Sequence, residues 1–560
     1  MDCLSNDDVR RVEERVDDVW SRVALPVPSY AEMAWLLLAT AERMLAETSP
    51  TLEMSSLAYS VQSLQHALSR ALEISSERLG FERVPQSGVT FRAEHSIRTA
   101  DVLRQAADYQ LATVAISAFY QKQALARKSG REAFEFRPHT SAARRRAFDW
   151  FDGMITVHPT PIELAVATLL QTEPDSAATM RAVKETIKFN DEGFTYSIDA
   201  RLHEHLIDKL GLGGAYLLPE GWSSPWGTAK QTIQMLRALQ AIAFYEWCVT
   251  FVVARSTGRT PIAVRPSRPS MLARQIERVT RIPSSEVSGL LRALTYEPRE
   301  SKISTGLQRP NVMVKPLLLL AEDVVAFSPI IMIFSFLEGH LVRLLARTHQ
   351  DHFNQNSGVF SRHMTAEILR DVPRRYFRGG PINIPGFDGD IDVAMADPST
   401  ATLTVCELKW NIPTATWGEM WRKDEECVEK VRQARQMAEW ARKNTDSVLR
   451  AIGVHEGALS LQWTVLPLVV TDGYLPLVEA DCQDVQVVHR RALKAALAKF
   501  DSLSAAYAWL ASNAWLPREN DFETRGREAL FENLKILWLG GHKAAIEAVL
   551  CFRRETLLIQ

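Results

Sequence analysis

The sequence predicts an α+β multidomain protein: a helical N-terminal region, then an α/β domain with a mixed central sheet, then a helical C-terminus. Three observations predict it. Apolar residues recur three and four apart through most of the first 295 positions, a polar and turn-rich stretch begins at Tyr296, and beyond about residue 353 the segments run helix, hairpin, helix, strand. At 560 residues the chain exceeds one ordinary core, so two or three domains are expected.

Residues 1–295 form the helical region, with segments such as YAEMAWLLLATAERMLAE and RTADVLRQAADYQLATVAISAFYQKQALAR separated by the breakers VPQSG, PTP and LPEGWSSPWG. No fixed-period repeat runs through them. Residues 296–352 read as a linking segment. YEPRESKISTGLQRP marks a domain boundary, VMVKPLLLLAEDVVAFSP folds as a hairpin around Ala321-Glu322-Asp323, and a helix runs to about His349. Residues 353–500 form the α/β domain. The polar loop HQDHFNQNSG at 349–358 leads into it, and then come Val359 to Leu369 as a helix, GFDGDIDVAMADPSTATLTVCELKW as a strand pair, Trp417 to Lys443 as a long helix, and LQWTVLPLVVTDGY and DVQVVHRR as further strands. Residues 501–560 are expected to be C-terminal helices.

A formal net charge of −2 excludes a protein that coats nucleic acid with a uniformly basic surface, yet leaves room for a local basic groove. Six scattered cysteines without a CxxC pair, and a charged N-terminus without a signal-peptide core, point to a reducing, cytoplasmic setting. The most apolar runs, AIAFYEWCVTFVVA with Glu246 inside it and SPIIMIFSFLEG, fall short of the roughly 18 to 20 apolar residues of a membrane span. They read as core elements.

The chemistry concentrates between Gly386 and Trp410. In a strand Asp388, Asp390 and Asp392 share one face while Ile391, Val393 and Met395 take the other, and on the returning strand Glu407 and Lys409 share a face opposite Cys406 and Leu408. A four-residue turn at Pro398 to Ala401 pairs Asp397 with Thr402; counting back sets Asp392 across from Glu407 and Asp390 across from Lys409. Two carboxylates so placed repel by roughly 4 kcal/mol at about 4 Å and an effective dielectric of about 20. A divalent cation offsets that. Mg²⁺, or Mn²⁺ in its place, takes one or two carboxylates and keeps waters for a phosphate, and a nearby lysine orients the attacking water.

Asp392, fourteen intervening residues and Glu407-Leu408-Lys409 resemble the PD-(D/E)XK nuclease superfamily, the restriction-endonuclease-like fold, over about residues 353 to 490. The resemblance implies metal-dependent phosphodiester hydrolysis of nucleic acid, DNA before RNA, in restriction, defence or repair. It makes Asp392 and Glu407 metal ligands, Asp390 a second-ligand candidate and Lys409 the water-activating lysine. The preceding helix supplies Glu367, although Ser361 stands where many members carry a glutamate, and the following helix supplies Gln433, with Gln436 beside it. The proline half of the motif has no counterpart next to Asp392. The helical region would bind substrate or a protein partner.

Plainer readings stand beside these. DGDID could be a solvated turn; an EF-hand loop is excluded because Val393 and Ser399 occupy positions that need glycine and glutamate. Glu407 and Lys409 could form a surface ion pair on one strand, though LTV and Cys406 make that strand read as buried. Gln433 reads equally as a solvated helix residue. Arg370, Arg374, Arg375 and Arg378, and likewise Arg144 to Arg146, fit either a phosphate backbone or a solvated surface. His203-Glu204-His205 and the pair His349 and His352 lack zinc-enzyme spacing, and GLGG at 211–214 is a turn and no phosphate loop. A catalytically silent nucleic-acid-binding or regulatory protein that keeps the fold is the competing class.

Overall fold

The computed structural model describes residues 3–48, 54–80, 93–139, 142–149, 168, 171, 174–191, 193–211, 218–258, 261–297, 311–383, 389–412, 414, 417–477, 484–518 and 523–543. Helices α1 (Asn6–Ser21), α2 (Tyr30–Thr48), α3 (Met54–Leu79) and α4 (Ala93–Tyr120) open the chain. Ser5 and Asp8 close a capping box at the start of α1, which buries Val9, Val12 and Val16 along one stripe. Two strands follow, β1 (Ala124–Lys128) and β2 (Ala133–Pro138), so the helix expected to run through QKQALAR ends at Tyr120.

Helix α5 (Ala229–Thr257) begins on a second capping box, Thr228 with Gln231, and ends on Gly258 in the left-handed region at φ 69°. It is long and apolar enough to cross a membrane, but 72% of its most apolar window is buried inside the fold. It is the central core helix. The expected hairpin forms as β3 (Leu317–Ala321) and β4 (Val324–Ala326), followed by α6 (Leu337–Thr348). The linking role expected for 296–352 does not hold. Val312, Leu317, Ile330, Leu341 and Leu345 are buried in the same core as α2 and α5, because this stretch is too apolar to remain outside a core.

Helix α7 (Gln350–Asp371) includes the stretch expected as a polar loop. It stays helical because its inward positions have partners: Asn356 accepts from the Ser223 N–H at 3.0 Å, and Phe360 joins the helical core. The second core is a five-stranded sheet in the order β5 (Phe377–Gly379), β6 (Val393–Asp397), β7 (Thr402–Trp410), β8 (Thr464–Asp472), β9 (Gln486–His489). The first three strands are antiparallel neighbours and the last three are parallel, so the sheet is mixed.

Helix α8 (Trp417–Lys443), with the bounds the periodicity suggested, lies between β7 and β8 in the chain and packs Cys427, Val431, Ala434 and Ala438 on one face of the sheet. Helices α7, α9 (Arg490–Lys499) and α10 (Leu503–Ala511) cover the other face through Met364, Ile368, Leu493 and Leu510. The result is three layers.

The C-terminal helices are corrected in part. Among the described residues of that segment α10 fits, whereas residues 523–543 form the hairpin β10 (Glu523–Phe531) and β11 (Leu534–Lys543), which joins β1 and β2 in one sheet; residues 544–560 lie outside the described residues. Ala529, Phe531, Leu534, Ile536 and Trp538 are buried against α1 and α4, and this alternation of period two is what makes the segment strand.

The arginines of 144–146 are also corrected. Arg144 donates to the Pro517 and Asn513 carbonyls, both at 2.9 Å, Arg145 to the Pro476 carbonyl at 2.9 Å, and Arg146 pairs with Asp149 and Asp424. These bonds all go to groups of the protein itself. They fasten the helical half to the three-layer domain, Arg146 to α8 through Asp424 and Arg144 and Arg145 to the loops at 513–517 and 476.

Candidate active site

The β6–β7 turn is closed by Asp397, whose carboxylate accepts from Ser399 N at 3.0 Å, Thr400 Oγ1 at 3.0 Å and Leu503 N at 3.0 Å, while Ala401 takes φ 46°. The register is the one counted from sequence. Asp397 pairs with Thr402 and Val393 with Cys406, which carries Asp392 to the position opposite Glu407. The ladder stops at Val393. Asp392 turns its carboxylate onto the Leu408 N–H at 2.7 Å, capping the strand that carries Glu407.

Asp392 is also fixed from behind. Its carbonyl oxygen approaches Gly380, where a Cβ would lie 2.1 Å from it, and Gly380 holds φ 151°, a conformation that side chains rarely adopt. This contact ties β5 to the first residue of the site.

Glu407 is 8% exposed and Asp392 half-buried. Burial raises the Glu407 carboxyl above the usual range and the Asp392 charge raises it further, while Lys430 pulls it down. The Asp392 carboxyl is likewise raised by burial, opposed by the Leu408 N–H and Lys430, and pushed up by Asp390. The two acids therefore share one field.

Glu407 and Lys409 both face α8. Lys430 Nζ donates to Glu407 Oε1 at 2.5 Å and to Gln433 Oε1 at 2.8 Å. Lys409 pairs with Glu426 at 2.9 Å, and Lys423 reaches the same carboxylate at 2.9 Å. Burial raises the Glu426 carboxyl, but hydrogen bonds from Lys409 and Lys423 outweigh it and the net shift is downward. Gln433 thus enters the site through Lys430.

Two expected members are elsewhere. Asp390 is exposed in a separate two-stranded ribbon, Ile382–Asn383 with Asp390–Ile391, where it pairs with Asn383; its expected position opposite Lys409 is corrected, because the β6–β7 ladder ends before it. Asp388 lies outside the described residues. Glu367 sits on α7, across the sheet from Glu407, and pairs with Arg490 at 2.7 Å and Arg370 at 3.1 Å. Arg490 also holds Asp472 at 3.1 Å, so Glu367 belongs to a network that pins α7 to the end of β8.

Among the basic residues, Arg375 donates to the Leu497 and Phe500 carbonyls at 2.8 and 2.7 Å. Arg378 donates to the Pro373 carbonyl at 3.4 Å, and Arg374 is exposed. His203 is buried with Nε2 at 2.9 Å from the Ala238 carbonyl and serves the core. Of GLGG, residues 212–214 lie outside the described residues.

Sequence reasoning missed Lys430, Glu426 and Gly380. The signal for the first two was present: Glu426, Lys430 and Gln433 stand four and three apart, on one helical stripe with the glutamine already singled out.

No family model, curated protein or solved structure matches the chain. Among the described residues no three His, Cys, Asp or Glu side chains gather for a metal. The pair Asp392 and Glu407 nevertheless fits a hard divalent cation that keeps several waters, since both acids are oxygen donors largely withdrawn from bulk solvent and their side chains come close enough to act on each other.

Proposed function

We propose that the chain is a Mg²⁺-dependent nuclease of PD-(D/E)XK type, acting on DNA in preference to RNA, with Mn²⁺ able to replace Mg²⁺. The observation that carries the reading is the convergence of Asp392 and Glu407 at the end of the β6–β7 ladder, with Lys409 on the same strand face as Glu407. The helix, hairpin, helix, strand order around a mixed sheet supports a restriction-endonuclease-like domain. A bound divalent cation supplies Lewis-acid polarisation of a phosphate oxygen and an acidified water. Asp392 and Glu407 would hold it, burial keeps their donors out of bulk water, and the Leu408 N–H fixes the Asp392 carboxylate. Lys409, on the same strand face as Glu407 and oriented by Glu426, would position the attacking water. The free thiols of Cys248, Cys406 and Cys427 agree with a reducing, cytoplasmic setting.

One observation favours the second reading, a silent nucleic-acid-binding protein. Lys430 and Lys409 already pair with carboxylates of the site, so the cluster is neutralised without metal. Cleavage of a panel of DNA and RNA forms with Mg²⁺ or Mn²⁺ separates the two. The nuclease reading expects Glu407→Gln to abolish cutting and Lys409→Ala to slow it about 10²- to 10⁴-fold. Absence of cutting by the wild type, with binding that weakens steeply with salt, selects the silent protein.

A further inference from the structure

Six charged groups meet between β7 and α8: the carboxylates of Asp392, Glu407 and Glu426, and the ammonium groups of Lys409, Lys423 and Lys430. The pairing is crossed. The strand glutamate takes the helix lysine, and the strand lysine takes the helix glutamate. Within these six groups the negative and positive charges balance, so a dication at the two acids competes with a cation already there.

Lys430 is the cation in the way. Its Nζ lies 2.5 Å from Glu407 Oε1, its charge acts on both Glu407 and Asp392, and its side chain is 27% exposed against 10% for that of Glu407. An ammonium hydrogen-bonded to that carboxylate and a dication about 2.1 Å from it repel each other across a few ångströms. Lys409 differs, because Glu426 holds it and Lys423 shares that carboxylate. Lys430 also has a place to go. Gln433 Oε1, at 2.8 Å and one turn further along α8, accepts a hydrogen bond from it and keeps it at the rim of the site.

We propose that Lys430 is the resident counter-ion of the Asp392–Glu407 pair, and that a divalent cation binds there by displacing its ammonium from Glu407. The inference rests on the reading of those two acids as a cation site. Lys430 sets the threshold for metal: with it in place the pair is already half neutralised and takes a dication weakly, and without it both charges face the metal.

Calorimetric titration of Mn²⁺ into the full chain tests this without any substrate, using wild type, Lys430→Met, Lys430→Gln, Lys430→Arg and Glu407→Gln, each checked for a native unfolding transition. Lys430→Met and Lys430→Gln should bind Mn²⁺ about 10- to 100-fold more tightly than wild type, the scale of a lost hydrogen bond between charged groups. Lys430→Arg should bind as wild type does, and Glu407→Gln should lose binding. A purely structural lysine gives the opposite sign, since its removal loosens the site. If Glu407→Gln loses binding while both neutral variants bind as wild type does or more weakly, the counter-ion role is overturned and the cation site stands. If no protein binds Mn²⁺, the cation site itself falls and this inference with it.

Discussion

Replacing Gly380 by alanine tests how Asp392 is positioned. The new Cβ would sit 2.1 Å from the Asp392 carbonyl oxygen, 2.9 Å from its carbonyl carbon and 3.0 Å from Val393 Cα, all backbone atoms that no rotamer change can move. Ordinary carbon–oxygen contacts lie near 3.3–3.6 Å, so the two segments must separate by roughly 1 Å. Holding a side chain at φ 151° adds strain on the order of 1–3 kcal/mol. If Asp392 moves off the Leu408 N–H, a charged hydrogen bond of about 1.5–3 kcal/mol goes too. The expected loss is therefore about 3–6 kcal/mol in urea unfolding. A displacement of about 1 Å in a positioned carboxylate also predicts roughly 10²-fold slower cleavage. Gly457→Ala, where a Cβ meets nothing within 4 Å, is the control and should change stability little. Wild-type unfolding and Mn²⁺ binding in Gly380→Ala would refute the reasoning.

Other perturbations reach a support of α8 and a buried acid of the helical core. Arg146→Met strands the buried Asp424 carboxylate on α8, which also accepts from Gln123, Tyr474 and the Leu477 N–H, and should cost about 3–5 kcal/mol in urea unfolding. Pairing it with Asp424→Asn should recover part of that loss, and a purely additive double mutant would argue against coupling. Glu42, fully buried and accepting from Ser328 Oγ and from Ile330 N at 3.1 Å, has its carboxyl raised by burial from 4.5 to about 7. The folded chain then holds a proton that the unfolded chain releases, so this group lowers stability as pH rises from 4.5 to about 7, by on the order of 3 kcal/mol in all. Glu42→Gln removes that dependence. Its stability relative to wild type should therefore grow between pH 5 and pH 8 in urea unfolding, and a constant difference would refute the assignment.

The β6–β7 register was legible because two independent signals agree, strict alternation of faces and a turn that Asp397 wraps with its own carboxylate. Helix α8 was legible from its second half, where Cys427, Val431, Ala434, Ala438 and Ala441 recur three and four apart and are buried. Counting failed at Asp390, where the chain leaves one ladder for another, and no feature of DGDID marks that exchange. The polar start of α7 hid its helix because Asn356 is satisfied by Ser223, 133 residues away in sequence. Arg144 to Arg146 looked like a surface cluster since their carbonyl partners are scattered between 476 and 517. The C-terminal hairpin was readable in principle from the alternation of Leu534, Ile536 and Trp538, which helical periodicity does not explain.

That hairpin has a consequence for synthesis. β11 lies parallel to β2 through Ala133↔Lys535 and Phe136↔Trp538, so a strand made early on the ribosome has no partner on that edge until nearly the whole described chain has emerged. Throughout that interval β2 presents an open row of peptide groups, with the buried Phe136 beside it, to any other nascent chain. The packing of α1 and α4 on that sheet is therefore completed only after the strands of the three-layer domain have been made. Pulse-chase proteolysis should find the N-terminal helices cleavable until residues 534–538 are in place, and resistant afterwards.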